Sequence, residues 1–331
     1  MTLSRRGVLS LGGALALSPA LSACRSADRG TDRVRIRPSP TPTLAPSPPA
    51  ATFAGAPAPG QVYFGSSVAH HESIGEWEGV LGSTLALRRS FFAQGRNQPD
   101  KLVTRAREDL AAGRLPHVSV KPNVTWAAIA DGDHDGWLDS MLTPLGALGA
   151  PVLLSVHHEP ENDTGPDGMR VTDWVAMQLR VLERAAEQCP QVTVVPILQH
   201  WTFDPLHDDI DPSKWLVPGV AAVGVDIYNS WSPKNGKEWR TFGSKADEVL
   251  SWTGGAPLVV GEYGCQDDPS NPGLAADWLV DAAEYAREHG IVAMSYFNSV
   301  HDASDGSYAL RGETEVAFAE LLASDWVARL T

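Results

Sequence analysis

Basic residues are in short supply in this chain: Lys and Arg total 26 against 40 Asp and Glu, a formal net charge of −14. A protein that neutralises phosphates needs a cationic stripe, so nucleic-acid binding is not expected. Cysteine is scarcer still, with 3 in 331 residues. That is too few for a disulfide scaffold or a four-thiolate zinc site. Long apolar runs are missing as well. The longest, Gly7 to Leu21, spans about 15 residues with glycines and a proline inside it, short of the ~20 needed to cross a bilayer. No Gly-x-Gly-x-x-Gly follows the first strand-like segment, which argues against the alternative of an open, doubly wound nucleotide-binding sheet. What is present in excess is tryptophan (11) and proline (25), and both are unevenly placed.

The N-terminal third of the proline story comes with an address. Ser4-Arg5-Arg6-Gly7-Val8-Leu9 sets adjacent arginines before a short apolar run, the layout of a twin-arginine export signal. The run ends in Leu21-Ser22-Ala23-Cys24, which resembles a bacterial lipobox. Residues 1–23 are therefore expected to be a signal peptide and Cys24 the lipidated residue. Anchoring at the outer face of the cytoplasmic membrane follows, or plain secretion if Cys24 is not lipidated. Residues 24–60 form a Pro-rich spacer, with eight prolines between Pro38 and Pro59, a composition that stays extended because it cannot bury a core. Residues 1–60 hold seven Arg and two Asp, so the remainder carries a net charge of −19 and all 11 tryptophans.

From residue 61 to 331, short apolar runs rich in β-branched residues alternate with helix-like stretches. The candidate strands are Val62 to Gly65, Thr84 to Leu87, His117 to Lys121, Val152 to His157, Val192 to Leu198, Ala221 to Ile227, Leu258 to Gly261 and Ile291 to Phe297. Eight βα units in about 270 residues predict a single α/β domain, a (β/α)8 TIM barrel acting as a monomer. Each strand ends in polar groups: His70-His71, Arg88-Arg89, Lys121 with Asn123, His157-His158-Glu159, Gln199-His200-Trp201, Asp226 to Asn229, Glu262-Tyr263 and Tyr296-Phe297-Asn298. In a barrel these ends converge on one mouth, where active sites form.

Glu159 and Glu262 end the fourth and seventh predicted strands and should face each other there. Opposed carboxylates suit hydrolysis of a glycosidic bond, one protonating the leaving oxygen and the other attacking the anomeric carbon or activating water. Tyr228 is placed to donate a hydrogen bond to Glu262, with Asp226 beside it, and His158 and Asn162 to order Glu159. Lys121, His157, His200 and Tyr296 are candidate contacts for sugar hydroxyls. Trp126, Trp201, Trp231 and Trp77 are candidate stacking platforms for a pyranose face, whereas Trp174, Trp252 and Trp278 sit in helical patterns and are expected in the core. Cys189 and Cys265 are not expected to pair. A bell-shaped pH–rate profile should follow, its basic limb reporting loss of the Glu159 proton.

Several segments in order resemble glycoside hydrolase family 26, the β-mannanase family. Val156-His157-His158-Glu159-Pro160-Glu161-Asn162 is similar to its His-Glu-x-Asn region, with one residue more before Asn162. Leu216 to Gly219 followed by Val223 to Asn229 is similar to its strand-six segment, Ala128 to Asp135 to the stretch before its third helix, Gly261-Glu262-Tyr263-Gly264 to its nucleophile strand, and Tyr296-Phe297-Asn298 to its eighth strand. The resemblance implies a retaining β-glycanase, with Glu159 as acid/base, Glu262 as nucleophile, and a β-linked oligo- or polysaccharide, foremost β-1,4-mannan, as substrate. No cofactor and no metal are expected. Two other readings stay open: a barrel hydrolase using a metal held by His70, His71, His134, His157, His158 or His200, and a lipoprotein that binds glycan without cutting it.

Overall fold

The computed structural model describes residues 54–68, 71, 73–92, 98–300 and 306–330. The signal peptide, Cys24, most of the spacer and His70 lie outside them. Strands and helices alternate from β1 (Tyr63–Ser66), α1 (Ile74–Leu81), β2 (Leu87–Phe92), α2 (Gln98–Ala111) and β3 (Leu115–Val120) to α3 (Trp126–Ala130), α4 (Asp135–Gly146), β4 (Val152–Val156) and α5 (Val171–Gln188). There follow β5 (Val192–Val194), β6 (Ile197–Gln199), β7 (Val223–Asn229), α6 (Phe242–Leu250), β8 (Leu258–Cys265), α7 (Leu274–Glu288), β9 (Ile291–Tyr296) and α8 (Glu313–Leu322).

The strands form one parallel sheet in the order β5-β4-β3-β2-β1-β9-β8-β7-β6. Its two ends, β5 and β6, are halves of a single barrel strand. Pro196 interrupts that strand because it brings no N–H to the ladder. The seam is closed by Val195 N–H to Leu154 O at 2.8 Å, Gly224 N–H to Pro196 O at 2.9 Å and Glu159 N–H to Ile197 O at 3.0 Å. The eight predicted strands are thus present, the fifth in two pieces and followed by short 3-10 turns in place of an α-helix, and the fold is a (β/α)8 barrel. The strands read as near-continuous apolar runs because both faces are covered, by the barrel interior on one side and the helices on the other. Helix starts follow capping chemistry: Ser73, Thr125 and Thr241 each accept a backbone N–H three residues on. In α5 the buried residues Trp174, Met177, Gln178, Val181 and Ala185 make one stripe.

Several expectations are corrected. β2 begins where the predicted strand ends, so Arg88 and Arg89 lie inside it. Neighbouring strand residues point to opposite faces. Arg88 therefore turns to the helix layer, where its Nη1 lies 3.3 Å from Asp109 of α2, while Arg89 turns into the barrel. The spacer also ends earlier than residue 60: Tyr63 Oη donates to Gly55 O at 2.9 Å and Ala56 packs on the core. Trp174 and Trp278 are core residues, but Trp252 is 43% exposed, in the turn after α6. Cys189 and Cys265 are free and buried. Among the described residues, no helix is long and apolar enough to cross a membrane.

Candidate active site

The backbone at the end of β4 is bent in a way L-residues resist. His157 and Glu159 are the non-glycine residues with positive φ among those described, at 57° and 50°. Each such conformation costs about 1 kcal/mol or more. Hydrogen bonds on both sides hold it. His157 N–H donates to Val120 O at 2.8 Å, Trp174 Nε1 donates to His157 O at 3.2 Å, and Trp126 Nε1 donates to His157 Nδ1 at 3.0 Å. An indole N–H only donates, so His157 Nδ1 accepts and its proton sits on Nε2, directed to Asp163 Oδ2 at 2.9 Å. Burial lowers the His157 pKa to about 4, so the ring is neutral. His158 faces the barrel instead. Its Nδ1 meets Ser119 Oγ at 2.8 Å, and burial, with Arg89 and Lys121 nearby, holds it well below the usual histidine range.

This turn carries Glu159 over the mouth. A second backbone irregularity carries Glu262. Along β8, Val260 pairs with Val225 but Glu262 pairs with Asp226, so Gly261 is an extra, unpaired residue. Such a bulge re-aims the side chain that follows it. A Cβ on Gly261 would stand 1.9 Å from Arg89 Nη1 and 2.7 Å from Asp226 Oδ1. Glycine is what lets the guanidinium pass behind Glu262. Gly261→Ala is therefore expected to displace a fully buried ion-pair group, costing about 3 kcal/mol together with most activity. A melting curve and a rate on the same sample check it.

Three carboxylates meet at this point. Glu159, Asp226 and Glu262 each place an oxygen within 4.8 Å of the others. Tyr228 Oη donates to Glu262 Oε2 at 2.6 Å, and Arg89 Nη2 lies 3.5 Å from Glu262 Oε1, with Nη1 3.6 Å from Asp226. Asn162 Nδ2 donates to Glu159 Oε2 at 3.3 Å. Burial, and then the neighbouring charges of Glu262 and Glu161, push Glu159 up to about 7, against the opposing pull of Lys121 and Arg89. Burial and Glu262 also raise Asp226 well above the carboxylate range. A carboxyl that keeps its proton near neutrality, next to a carboxylate supplied with a hydroxyl donor and a counter-charge, is equipped for acid–base chemistry at one atom and nucleophilic chemistry at the other. The sign of the pH effect follows. Glu159 is protonated below about 7, so a reaction needing its proton declines as pH rises through that value. The basic limb of kcat/KM against pH is expected near 7.

A cavity of about 590 Å³ opens beside Glu159, lined by Trp201, His200 and Tyr228 as well as Asp204, Arg240 and Lys245. Of the predicted tryptophan platforms, Trp201 lies on this cavity. Its Nε1 donates to Gln199 Oε1, which fixes the ring. Trp126 and Trp77 are fully buried. Their indole N–H groups are spent on His157 and on Ser66 Oγ at 2.9 Å, so they support the turn and the core rather than a ligand. Tyr296 is likewise buried, its hydroxyl donating to Cys265 O at 3.3 Å. Trp231 packs edge-on against Trp239 at 5.2 Å, outside the cavity lining. Lys121 binds Asp163 at 2.8 Å, and His157 is enclosed. Neither lines the cavity; both brace the β4 turn.

Among the described residues, which do not include His70, the histidine-based metal set is not assembled. Among the described residues, two groups have ligand-like spacing, Glu159/Asp226/Glu262 and His200/Asp204/Glu248, and neither contains two histidines. In the first, Arg89 already supplies a positive charge to two carboxylates. In the second, Arg240 does so, its Nη1 3.0 Å from Asp204 and its Nη2 2.6 Å from Glu248.

Residues the sequence did not point to include Arg89 as partner of the carboxylates, the Asp204–Arg240–Glu248 chain and Glu161. Glu161 Oε1 accepts Gln199 N–H at 2.8 Å and Thr202 Oγ1 at 2.5 Å, which ties the loop after β4 to the loop after β6. The extra residue before Asn162 was its one sequence signal.

No family model matches the sequence, and no curated protein is similar to it in sequence. Solved structures are similar in fold. The family 26 glycoside hydrolase GH26A of Muricauda sp. MAR_2010_75 superposes with a TM-score of 0.53 at 14% identity, over 82% of this chain and 92% of that one. A modular endo-β-1,4-mannanase from Cellulomonas fimi gives 0.52 at 12%, over 84% and 78%. The GH53 catalytic domain of Ignisphaera aggregans gives 0.53 at 11%, over 83% and 100%. At these identities the likeness is one of fold: the chain folds as the barrels of family 26 mannanases do.

Proposed function

We propose that this protein is a retaining β-glycosidase that hydrolyses a β-linked polysaccharide of the β-1,4-mannan type, with Glu159 as general acid/base and Glu262 as nucleophile. The observation that carries the reading is the pairing of a raised Glu159 carboxyl with Glu262 across the mouth, an oxygen of each lying within 4.8 Å of one of the other's, a proximity of the kind that retention needs. Retaining enzymes hold their carboxyls about 5–5.5 Å apart, whereas inverting enzymes leave about 6.5–9.5 Å for a water. In the first step Glu262 attacks the anomeric carbon while Glu159 gives its proton to the departing oxygen. In the second step Glu159 takes a proton from water, which attacks the same carbon and releases Glu262. Tyr228 and Arg89 orient Glu262 throughout. Asn162 steadies Glu159, and Trp201 offers an apolar face to a sugar ring. The mannan assignment draws on the sequence resemblance and on fold neighbours that are described as mannanases.

Incubation with mannan, lichenan and β-1,3-xylan, with new reducing ends counted, tests the substrate. Cleavage of mannan is expected; cleavage of none of them removes the assignment. Proton NMR of the first-formed product tests the mechanism, since the β-anomer must appear first.

The N-terminal segment belongs to the same proposal. Export through the twin-arginine route and lipidation of Cys24 would hold the barrel on a Pro-rich tether outside the cytoplasmic membrane. Cells fed a radiolabelled fatty acid are expected to label the wild-type chain and not Cys24→Ala; equal label in both refutes the anchor.

A further inference from the structure

The cavity beside Glu159 is one-sided. Its lining includes Glu159, Asp226 and Tyr228 but not Glu262, and beyond Trp201 it holds Asp204 and Glu238 as well as Arg240, Lys245 and Lys237. On the glycosidase reading, on which this inference rests, Glu159 serves the departing oxygen, so the space next to it receives the leaving-group side of the substrate.

That space has an unusual wall. Lys245, on α6, is 7% exposed and faces the cavity. Lysine is almost never buried without a counter-charge, yet Lys245 forms no ion pair among the described residues. Its ammonium donates to His200 Nδ1 at 3.3 Å. That contact fixes the tautomer: His200 Nε2 holds the ring proton and gives it to Glu248 Oε2 at 2.7 Å, so the ring is neutral and contributes no negative charge. Burial and the nearby cations hold His200 down to about 3. The acids that act on Lys245, Asp204 and Glu248, do so without touching it and make their direct contacts elsewhere. Glu248 serves His200 and Arg240, while Asp204 serves Arg240 and the Leu206 N–H. Two of the three Lys245 N–H donors are left for whatever enters the cavity. Lys237, at the exposed rim, likewise has no ion pair among the described residues and lines the same space.

The contrast with the rest of the domain is what gives this weight. Arg88 and Arg114 share Asp109, and Arg89 sits between Asp226 and Glu262. Among the described residues Lys245 is thus a buried cation that touches no carboxylate directly, and it faces the substrate cavity.

We propose that this wall is a subsite for a carboxylate-bearing sugar, a hexuronic acid unit on the leaving-group side of the bond that is cut, its carboxylate held by Lys245 with Lys237 at the rim. A lysine ammonium is a compact point charge that accepts an anion from several directions. The guanidinium fork of Arg240 is already spent on protein carboxylates. The half-buried Trp201 indole on the same cavity offers the pyranose face its apolar contact. Burial and Arg240 lower Lys245 to about 8 against the opposing pull of Asp204 and Glu248, which leaves it largely cationic at neutral pH.

The test compares mannan oligosaccharides with the same oligosaccharides oxidised at their primary hydroxyls to uronates, using the full barrel. The oxidised form is expected to have a kcat/KM higher by about tenfold, and that ratio should shrink as salt screens the pair. In Lys245→Met the ratio should fall toward one. Should that variant not fold, Lys237→Gln at the exposed rim should reduce the ratio as well, and the salt series on the wild type stands by itself. A neutral glycan cut as well as its oxidised form, or a ratio unchanged in Lys245→Met, overturns the subsite and leaves the glycosidase reading intact. A sulfated oligosaccharide preferred over the uronate overturns the carboxylate assignment. A folded protein that cuts neither form, yet binds the oxidised one more tightly by calorimetry, keeps the subsite and removes the hydrolysis.

Discussion

Glu262→Ala is expected to lower kcat on the glycan by about 10⁴-fold or more, with a much smaller change in KM. The side chain touches the reacting carbon in the proposed mechanism and contributes little to holding the polymer. What it leaves behind also matters. Arg89 Nη2, now 3.5 Å from Glu262 Oε1, and the Tyr228 hydroxyl, now 2.6 Å from Oε2, both lose their partner. Glu262→Gln is the better control for fold, because the amide oxygen still accepts the Tyr228 hydrogen bond and fills the same volume. Both variants should be inactive, and the glutamine form should melt close to the wild type. Retention of even a tenth of the activity in either one excludes Glu262 as the nucleophile.

Glu159→Ala should show a different pattern, because a proton donor matters only as much as the leaving group needs it. On a glycan, whose departing alkoxide is strongly basic, the loss is expected to be about 10²–10⁴-fold. On an aryl glycoside with an acidic phenol the first step needs no donor, and the loss should be far smaller. The basic limb near 7, set by the raised Glu159 carboxyl, should vanish with the residue. Loss of activity that is equal on both substrates, with the limb still present, assigns the proton to another group. Asp226 and Glu161 are the nearby carboxyls with raised values, through their own burial.

These two glutamates were legible in the sequence for a physical reason. Each follows a strand pattern, and a barrel topology sends every strand's C-terminal end to the same rim. Tyr228 and Asp226 were readable in the same way, two residues apart on one strand and so on one face. The aromatic contacts were not. Trp126 and Trp201 both follow strands and look alike in the sequence, yet one is buried with its N–H on His157 and the other lines the cavity. An indole stabilises a core and a sugar site by the same apolar face, so only the packing separates the two uses. The same holds for histidine: His157 was read as a substrate contact and instead pins the strained turn that carries Glu159.

The sequence by itself determined that an acidic, tryptophan-rich α/β domain follows a basic, proline-rich N-terminus. It also determined that polar groups gather at the strand ends, with Glu159 and Glu262 among them. Composition and periodicity carry that much, because they report which chemistry is available and which backbone repeat presents it. The tertiary structure decided the rest. A shift of one residue in a strand exchanges its two faces, and that shift sent Arg89 inward to the carboxylates while Arg88 went to a helix. The bulge at Gly261 aimed Glu262, and burial of a lysine on α6, indistinguishable in the sequence from a solvated one, put an ammonium with no direct ion pair in the cavity wall. Facing and burial arise from contacts between segments remote in the chain, so no local pattern encodes them.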